Sequence, residues 1–536
     1  MNNITYSEFL DKVHGCWYGK CLGGAAGAPV EGIKKLIDVK DFTEIYNPDL
    51  PNDDLDIQLL WLCVIEKKGA AISSCDLADA WIEKCWYPFS EYGYFMKNYI
   101  RGIKPPYSGI VNNSFFTEGM GCPIRSEIWG ILNAGNPKQA ADYAYIDACL
   151  DHSGNAVYAE QFLAAVESLA FFESDLMTLI KAGMEYIPDS CKLRDCFDMI
   201  IREFGAGTDW KIVRKMVLDR FGHPDFTNSV QNMGIILIAL LYGGGDMRRT
   251  INIALRCGYD TDCTCASAAS IIGIIKGYAA LYELNNLIND YFVCGIDIKR
   301  PSDSIKRLAE DSCAAALKIP NNMLCVTDKE NKKGTVKLKC EYPDEDGLNR
   351  AYRSIEPICW EVYGPYYDQM HKEIDTRYPS PHGEGCVLPD IVCMVNNEAF
   401  LNRDYARGDL MCTIEAYEDM IELDNYIGMQ GQYACIAETK VFSDKEQTVW
   451  AIIGNNDAFS LSVNGEKQIE ADEMRLWTPY NNFCLIKLKQ GENSISLKLL
   501  KRGEVFRFSI GFRQYTGEHW HRSKWCTDLK YTRKSI

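Results

Sequence analysis

The sequence predicts a multidomain protein in which an all-α domain is followed by an all-β domain. We place the all-α domain at residues 1–325, a connecting region with some strands at residues 326–430, and a jelly-roll-like β-sandwich at residues 431–536. The chain has 536 residues, more than one hydrophobic core usually organises. Apolar residues follow helical spacing in the first part and alternate with period two in the last part.

Long apolar segments separated by glycine, proline and acidic residues predict the helices of the first domain. The first helix is predicted over residues 7–22, with Ser7 as its N-cap. The small residues that follow, at 23–32, indicate close packing or a ligand against the backbone. Further helices are predicted at residues 57–65, 76–85, 137–149, 156–172, 174–187, 190–204, 209–221, 228–242 and 262–283.

Alternating side chains predict the strands of the second domain. Phe459, Leu461 and Val463 alternate with serines before the turn sequence Asn464-Gly465, which is typical of a hairpin. Four tryptophans belong to this region: Trp450, Trp477, Trp520 and Trp525. They are either core residues or rings on which sugars stack, and the second interpretation makes residues 431–536 a candidate carbohydrate-binding accessory domain.

Composition excludes several classes of function. The net charge of −17 argues against non-specific nucleic-acid binding, which requires a basic surface. No apolar run reaches the length of a membrane span, so we predict no membrane partner. The first residues lack the features of a secretory signal, and none of the 23 cysteines forms a Cys-x-x-Cys pair near histidines. We therefore expect a cytoplasmic protein without structural zinc.

Two acidic segments, each at a predicted helix start, carry the chemistry of the chain. The first is Asn52-Asp53-Asp54-Leu55-Asp56 and the second is Asp260-Thr261-Asp262-Cys263. Asp and Asn often cap helices, but a cap needs one carboxylate and these segments offer five. Oxygen ligands of this kind suit one or two Mg²⁺ ions, with Mn²⁺ as an alternative.

These segments, together with Gly27-Ala28-Pro29-Val30-Glu31, resemble the three motifs of the ADP-ribosylglycohydrolase family in order and spacing. The resemblance covers about residues 12–280. It implies a compact helical domain with two Mg²⁺ ions in a cleft, where water attacks the anomeric carbon of an ADP-ribosyl group. It implies catalytic roles for Glu31 and Asp54. The metal ligands implied are Asn52, Asp53, Asp54, Asp56, Asp260, Asp262 and Cys263.

The sequence departs from the family motifs at four positions. Asn52 and Leu55 replace threonines of the second motif, and Gly24 replaces an aspartate of the first. Cys263 replaces a hydroxyl residue of the third motif, and a thiol is a poor ligand for Mg²⁺. One metal is therefore expected to be weakly held or lost.

The resemblance also implies residues that contact the substrate. Gly119, Gly121 and Arg125 correspond to a loop around the phosphates and ribose, although Arg125 is equally compatible with a structural ion pair. His152 and Gly154 correspond to the family's mid-chain histidine motif.

We thus expect a metal-dependent hydrolase that releases ADP-ribose or a related ribosyl group from an N- or O-linked acceptor. Its partner would be an ADP-ribosylated or otherwise ribosylated small molecule or protein. Two alternatives remain open. One is hydrolysis of a nucleoside or other glycoside, and the other is a non-catalytic binding or structural protein with the same fold.

Overall fold

Helices and strands divide the chain in the order that the sequence predicts. The computed structural model describes residues 2–48, 53–284, 286–366, 376–379, 391–394, 408–429, 431–474, 476–503 and 505–531. The α-helices of these residues are α1 Tyr6–Gly27, α2 Asp53–Lys68, α3 Ser74–Lys84, α4 Ser90–Ile100, α5 Glu127–Leu132, α6 Pro137–Ala148, α7 Asn155–Ala170, α8 Leu176–Gly183, α9 Lys192–Gly205, α10 Trp210–Phe221, α11 Ser229–Gly243, α12 Met247–Cys257, α13 Thr261–Lys276, α14 Ile305–Ala316 and α15 Glu345–Arg353.

The strands follow α14, apart from one at the N-terminus. They are β1 Asn2–Ile4, β2 Leu324–Val326, β3 Ile358–Tyr366, β4 Thr376–Pro379, β5 Ile391–Met394, β6 Leu410–Ala416, β7 Met420–Glu422, β8 Tyr433–Ser443, β9 Gln447–Asn455, β10 Phe459–Val463, β11 Glu466–Ala471, β12 Glu473–Met474, β13 Asn482–Leu488, β14 Gly491–Lys501, β15 Arg507–Gln514 and β16 Lys530–Tyr531. The predicted sequence of an α-domain and a β-domain is therefore confirmed. β1 and β2 pair in parallel and join the two ends of the helical domain.

The first helix is longer than predicted at both ends. Its N-cap is Thr5, where we expected Ser7, because the Thr5 hydroxyl accepts a hydrogen bond from the amide of Glu8. The Glu8 side chain accepts from the Thr5 amide in return and completes a capping box. At the other end the helix continues to Gly27 because its small residues pack against α13.

A stripe of four glycines holds α1 against α13. Gly15, Gly19, Gly23 and Gly27 recur at every fourth position, so they lie on one face of the helix. A Cβ atom on any of them would come closer than 3.0 Å to a backbone carbonyl of α13, namely that of Gly273, Ala269, Cys265 or Thr261 in turn. The two helices are thus antiparallel and in backbone contact. This packing brings the C-terminal end of α1 to the N-terminal end of α13.

The described part of the second domain contains three antiparallel sheets, and the two larger ones pack face to face as a β-sandwich. The larger sheet has the strand order β11-β10-β14-β8-β3-β6, with β16 also paired to β8, and the smaller has the order β13-β9-β15-β7. Apolar side chains of both sheets form one core, in which Trp360 of β3 meets Phe508 of β15 edge to face.

The domain boundary differs from the sequence prediction. We assigned residues 326–430 to a connecting region, but β3, β6 and β7 lie in that range and belong to the two sheets of the sandwich. A bulge between Val362 and Tyr363 interrupts the pairing of β3 with β6. Residues 367–375, 380–390 and 395–407 of the predicted connecting region lie outside the described residues.

The two domains contact each other directly. Lys97 of α4 forms a largely buried ion pair with Asp419, at 3.0 Å. The Asp419 amide donates to Oδ1 of Asn112, and the rings of Phe116 and Tyr480 stack with centroids 5.8 Å apart. In the described part of the chain, no helix has both the length and the apolar character needed to cross a membrane.

Candidate functional site

Three segments that are far apart in sequence meet at one end of the α1–α13 pair. Ligand atoms of Glu31, Asp260 and Asp262 all lie within 4.8 Å of one another. The same holds for Asp54, Asp262 and Cys263. Asp262 belongs to both sets, so the structure contains two adjoining groups of acidic or thiol ligands. We call these five residues the acidic cluster.

A tight turn before α13 positions Glu31 beside Asp260. Gly258 and Tyr259 both adopt positive φ, +70° and +68°, which is uncommon for a residue with a side chain. The Tyr259 amide donates to the carbonyl of Ile33, and the Gly32 amide donates to the carbonyl of Tyr259. These two hydrogen bonds tie the segment after α1 to the turn.

The cluster has the properties of a cation site. Asp260 is 1% exposed, and its Oδ2 atom has no hydrogen-bond partner among the described residues. Burial, together with the charges of Asp262 and Glu31, raises the pKa of Asp260 well above its ordinary value. A divalent cation would compensate this buried charge, so the residues present fit a metal.

The two ligand sets differ in chemistry. Glu31, Asp260 and Asp262 offer only carboxylate oxygens, the ligands that Mg²⁺ and Mn²⁺ prefer. In the other set the Cys263 thiol lies 3.6 Å from Oδ1 of Asp54, and burial raises the pKa of this thiol well above its ordinary value. A protonated thiol is a poor ligand for a hard cation. The all-oxygen set is therefore the better site.

A cavity of about 490 Å³ opens above the acidic cluster. Its floor contains Glu31, Asp54, Asp260, Asp262 and Cys263. The other walls come from both domains: Phe89, Glu91, Phe116 and Asp225 from the helical domain, and Tyr480, Arg513, Trp520, His521 and Trp525 from the sandwich. The volume is typical of a small-molecule site.

Residues 5–318 match the ADP-ribosylglycohydrolase family. This range is more than half of the chain and contains the two acidic segments and Gly27-Ala28-Pro29-Val30-Glu31. The chain belongs to the ADP-ribosylglycohydrolase family. Membership indicates a glycosyl hydrolase, and the family is typically metal-dependent. No curated protein matches the chain significantly.

Comparison with solved structures finds matches of low similarity. An ADP-ribosylglycohydrolase-related protein complex is 18% identical, with a TM-score of 0.39, over 58% of this chain and 98% of that one. The PA14 sugar-binding domain from an RTX adhesin is 12% identical, with a TM-score of 0.20, over 32% of this chain and 98% of that one. The epithelial adhesin 9 A domain of Candida glabrata is 8% identical, with a TM-score of 0.20, over 33% of this chain and 89% of that one.

Not every predicted metal ligand of this ADP-ribosylglycohydrolase family member joins the cluster. Asn52 and the side chain of Asp53 lie outside the described residues. Asp56 is buried on α2, but its Oδ2 accepts hydrogen bonds from the Tyr87 hydroxyl and from the Gly295 amide at 2.9 Å. Asp54 and Asp56 are two residues apart on a helix and therefore point in different directions. Asp56 therefore belongs to neither ligand set of the acidic cluster.

The predicted substrate contact of Arg125 also requires correction. Its guanidinium is completely buried and pairs with Asp147 at 2.8 Å and with Asp151 at 2.7 Å. The guanidinium also donates to the carbonyl of Gly121, at 3.1 Å. Arg125 does not line the cavity. It holds α6 and the following turn against the segment before α5.

His152 and two of the three predicted glycines, Gly119 and Gly121, pack around Glu91, a residue of the cavity wall. His152 is buried between Asp151, at 2.8 Å, and Glu91, at 3.3 Å. A Cβ atom on Gly121 would clash with Glu91, and one on Gly119 would crowd it, so both glycines make room for that carboxylate. Gly154 has φ +59° beside Glu118. Of these four residues, Gly121 alone lines the cavity.

Four polar residues at or beside the site have no signal in the motifs. Lys20 of α1 is fully buried, with Nζ 3.8 Å from Asp54 and 3.1 Å from Glu127. Glu91 and Asp225 add carboxyl groups to the cavity, and Arg513 adds a guanidinium from the second domain. Burial and the charge of Glu91 raise the pKa of Asp225 to about 6. Of these four residues, only Lys20 stands out in the sequence, because it is a charged residue among the apolar residues of α1.

Proposed function

We propose that this protein is a metal-dependent glycosidic hydrolase that releases ADP-ribose or a related ribosyl group from an N- or O-linked acceptor. The observation that carries the proposal is the convergence of Glu31, Asp260 and Asp262 on the floor of a cavity of substrate size. Family membership supports the reaction class. The partner would be an ADP-ribosylated or otherwise ribosylated small molecule or protein.

Glu31, Asp260 and Asp262 would hold the cation, Mg²⁺ or Mn²⁺, and Asp54 borders a second, weaker position beside Cys263. When bound, such a cation would orient the sugar hydroxyls and the attacking water. Asp260 and Asp262 keep their positions through the packing of α1 against α13, and Asp54 of α2 lies 3.8 Å from the buried ammonium of Lys20 on α1. The site is therefore ordered before the substrate enters.

Two side chains are suited to move protons during hydrolysis. Glu31 is exposed at the cavity, so one of its carboxylate oxygens can accept a proton from water. The oxygen of that water forms a bond to the anomeric carbon at the same time. The bond from that carbon to the leaving nitrogen or oxygen then breaks. Asp225, whose pKa is raised to about 6, is the candidate donor of a proton to the leaving group. Both carboxyl groups line the same cavity.

The enclosing wall of the second domain favours a second candidate. Tyr480, Trp520 and His521 cover one side of the cavity, and Phe89 and Phe116 face them from the helical domain. Such a covered site admits a small glycoside or nucleoside more readily than a folded, ADP-ribosylated protein. Aromatic rings on both sides would also pack well on a sugar or a base.

The test is a hydrolysis assay with the full-length chain. Release of free ADP-ribose, ribose and other sugars is measured from N- and O-linked ribosyl compounds and from nucleosides, with Mg²⁺, with Mn²⁺ and with EDTA. We expect activity with either cation and none with EDTA. Asp260→Asn should reduce the rate by about 100-fold or more, and Glu31→Gln should reduce it with little change in stability.

Each alternative has its own outcome. Turnover that EDTA does not change would reject the metal. Turnover of nucleosides without ADP-ribose release would select the second candidate. Absence of turnover on every substrate, together with no binding of sugar or nucleotide by calorimetry, would favour a non-catalytic protein with this fold.

A further inference from the structure

Arg513 is a buried cation in the part of the cavity wall that the second domain supplies. It lies on β15 and is 4% exposed. Its Nη1 atom donates to the carbonyl oxygens of Trp520, at 3.4 Å, and Ser523, at 3.2 Å. The guanidinium also lies 4.4 Å from the ring centroid of Trp525. These contacts fix the side chain while leaving most of its hydrogen-bonding capacity unused.

The charge of Arg513 has no acidic partner among the described residues. Its Nε atom is buried and makes no hydrogen bond there. Burial lowers the pKa of Arg513 to about 10, so the group is still charged at neutral pH. Two other buried cations of the described residues have acidic partners: Lys20 pairs with Glu127 at 3.1 Å, and Lys97 pairs with Asp419 at 3.0 Å. A buried charge without a counter-ion is costly, which indicates that the partner is supplied by a ligand.

We propose that Arg513 binds an anionic group of the substrate, a carboxylate, phosphate or sulfate, and so selects acidic glycosides. Arginine suits this role because its planar guanidinium can donate two hydrogen bonds to one such group. Among the described residues that line the cavity, Arg513 is the one arginine or lysine, whereas the floor is acidic. An anionic group is therefore repelled by the acidic cluster and attracted to Arg513, which orients the substrate in the cavity.

His521 supports this assignment without adding charge. It lines the cavity beside Arg513, and burial together with the Arg513 charge lowers the pKa of His521 to about 4. At neutral pH it is an uncharged imidazole stacked on Phe89, with centroids 4.7 Å apart. Arg513 thus provides the positive charge of this wall. The assignment of the ligand as substrate rests on the proposed function, but anion binding by Arg513 does not.

The test compares anionic and neutral probes by calorimetry on the full-length chain, without added metal. Inorganic phosphate and glucuronate are the anionic probes, and glucose is the neutral counterpart of glucuronate. We expect both anions to bind the wild-type protein and glucose to bind at least tenfold more weakly. Arg513→Gln should weaken binding of both anions at least tenfold, and Arg513→Lys should retain part of it.

Two controls separate this result from misfolding and from catalysis. Arg507→Gln removes another arginine of β15, one that pairs with Glu422, and should leave anion binding unchanged. Asp260→Asn should reduce turnover by about 100-fold or more but keep the Arg513-dependent binding. Loss of the proposed hydrolase activity can therefore be told apart from loss of anion binding. Wild-type protein that binds neither anion, or equal binding by wild type and a cooperatively melting Arg513→Gln, would overturn the proposal.

Discussion

The ammonium group of Lys20 lies 3.8 Å from Oδ2 of Asp54, so a buried cation adjoins the acidic cluster. The same ammonium is 3.1 Å from Glu127 and donates to the carbonyl of Ile124. Although burial disfavours the charged amine, the carboxylates of Glu127 and Asp54 outweigh it and raise the pKa of Lys20. One protein side chain therefore balances part of the negative charge that a metal would otherwise balance alone.

Replacement of this cation should destabilise the fold strongly. Lys20→Met leaves Glu127 buried next to Asp54 without the ammonium between them, and removal of one partner of a buried pair costs about 3–5 kcal/mol. We expect that loss in the free energy of unfolding, measured by urea denaturation in EDTA. The matched control is Lys215→Met, which breaks an exposed i,i+4 pair with Asp219 and should cost less than about 1 kcal/mol. Equal effects of the two substitutions would refute the role of Lys20.

The glycine stripe of α1 should not tolerate even a methyl group. In Gly23→Ala the added Cβ would come closer than 3.0 Å to the Cys265 carbonyl, and backbone cannot move aside as a side chain does. We expect a loss of about 1–3 kcal/mol of stability and weaker metal binding, because α13 carries Asp262. Gly205→Ala is the control, since nothing lies within 4 Å of that position at the end of α9. Its stability should stay within about 1 kcal/mol of wild type.

Restoring a hydroxyl at position 263 should improve binding of a hard cation near Asp54. Cys263→Ser exchanges a thiol for an oxygen ligand, and we expect the dissociation constant for Mg²⁺ to fall by up to about tenfold, or ~1.4 kcal/mol. Cys265→Ser serves as control, because that thiol faces the carbonyl of Ile251 outside the cluster. Calorimetric titration with Mg²⁺ measures both variants. Unchanged affinity in Cys263→Ser would show that the Asp54 side of the cluster does not bind the ion.

The pair formed by His152 and Asp151 should make stability depend on pH. Burial lowers the pKa of His152, but the carboxylates of Asp151 and Glu91 outweigh this effect and raise it to about 9. In the unfolded chain the pKa of histidine is about 6.5. The protonated His152 therefore stabilises the folded state fully below pH 6.5, and this stabilisation is lost as the pH rises through 9. Its full size is roughly 3 kcal/mol. Urea denaturation between pH 6 and pH 9.5 should show this decline in wild type and a smaller one in His152→Gln.

The fold class can be predicted from the periodicity of the sequence, and the acidic cluster can be predicted from the three motifs. The hydrogen-bond and ion-pair partners of the other predicted site residues cannot be predicted from the sequence. Residues 31, 260 and 262 meet because glycines at every fourth position bring α1 into backbone contact with α13, which is a local pattern. The roles of Asp56 and Arg125 depend on Tyr87, Gly295, Asp147 and Asp151, whose positions are set by tertiary packing. The cavity wall around Arg513 belongs to the second domain. No residue spacing within the motifs of the first domain therefore predicts that Arg513 lies at the site.

Contact between Gly27 and Thr261 also sets the time at which the site can form during protein synthesis. The Thr261 hydroxyl donates to the Gly27 carbonyl across 234 positions of the chain. At about 5–20 residues per second, the ribosome needs roughly 12–47 s to make that intervening segment. Throughout this interval the emerging α1 has no α13 to cover its glycine face. The acidic cluster is therefore completed only after most of the helical domain has left the ribosome, and a chain released before residue 260 would lack its α13 ligands.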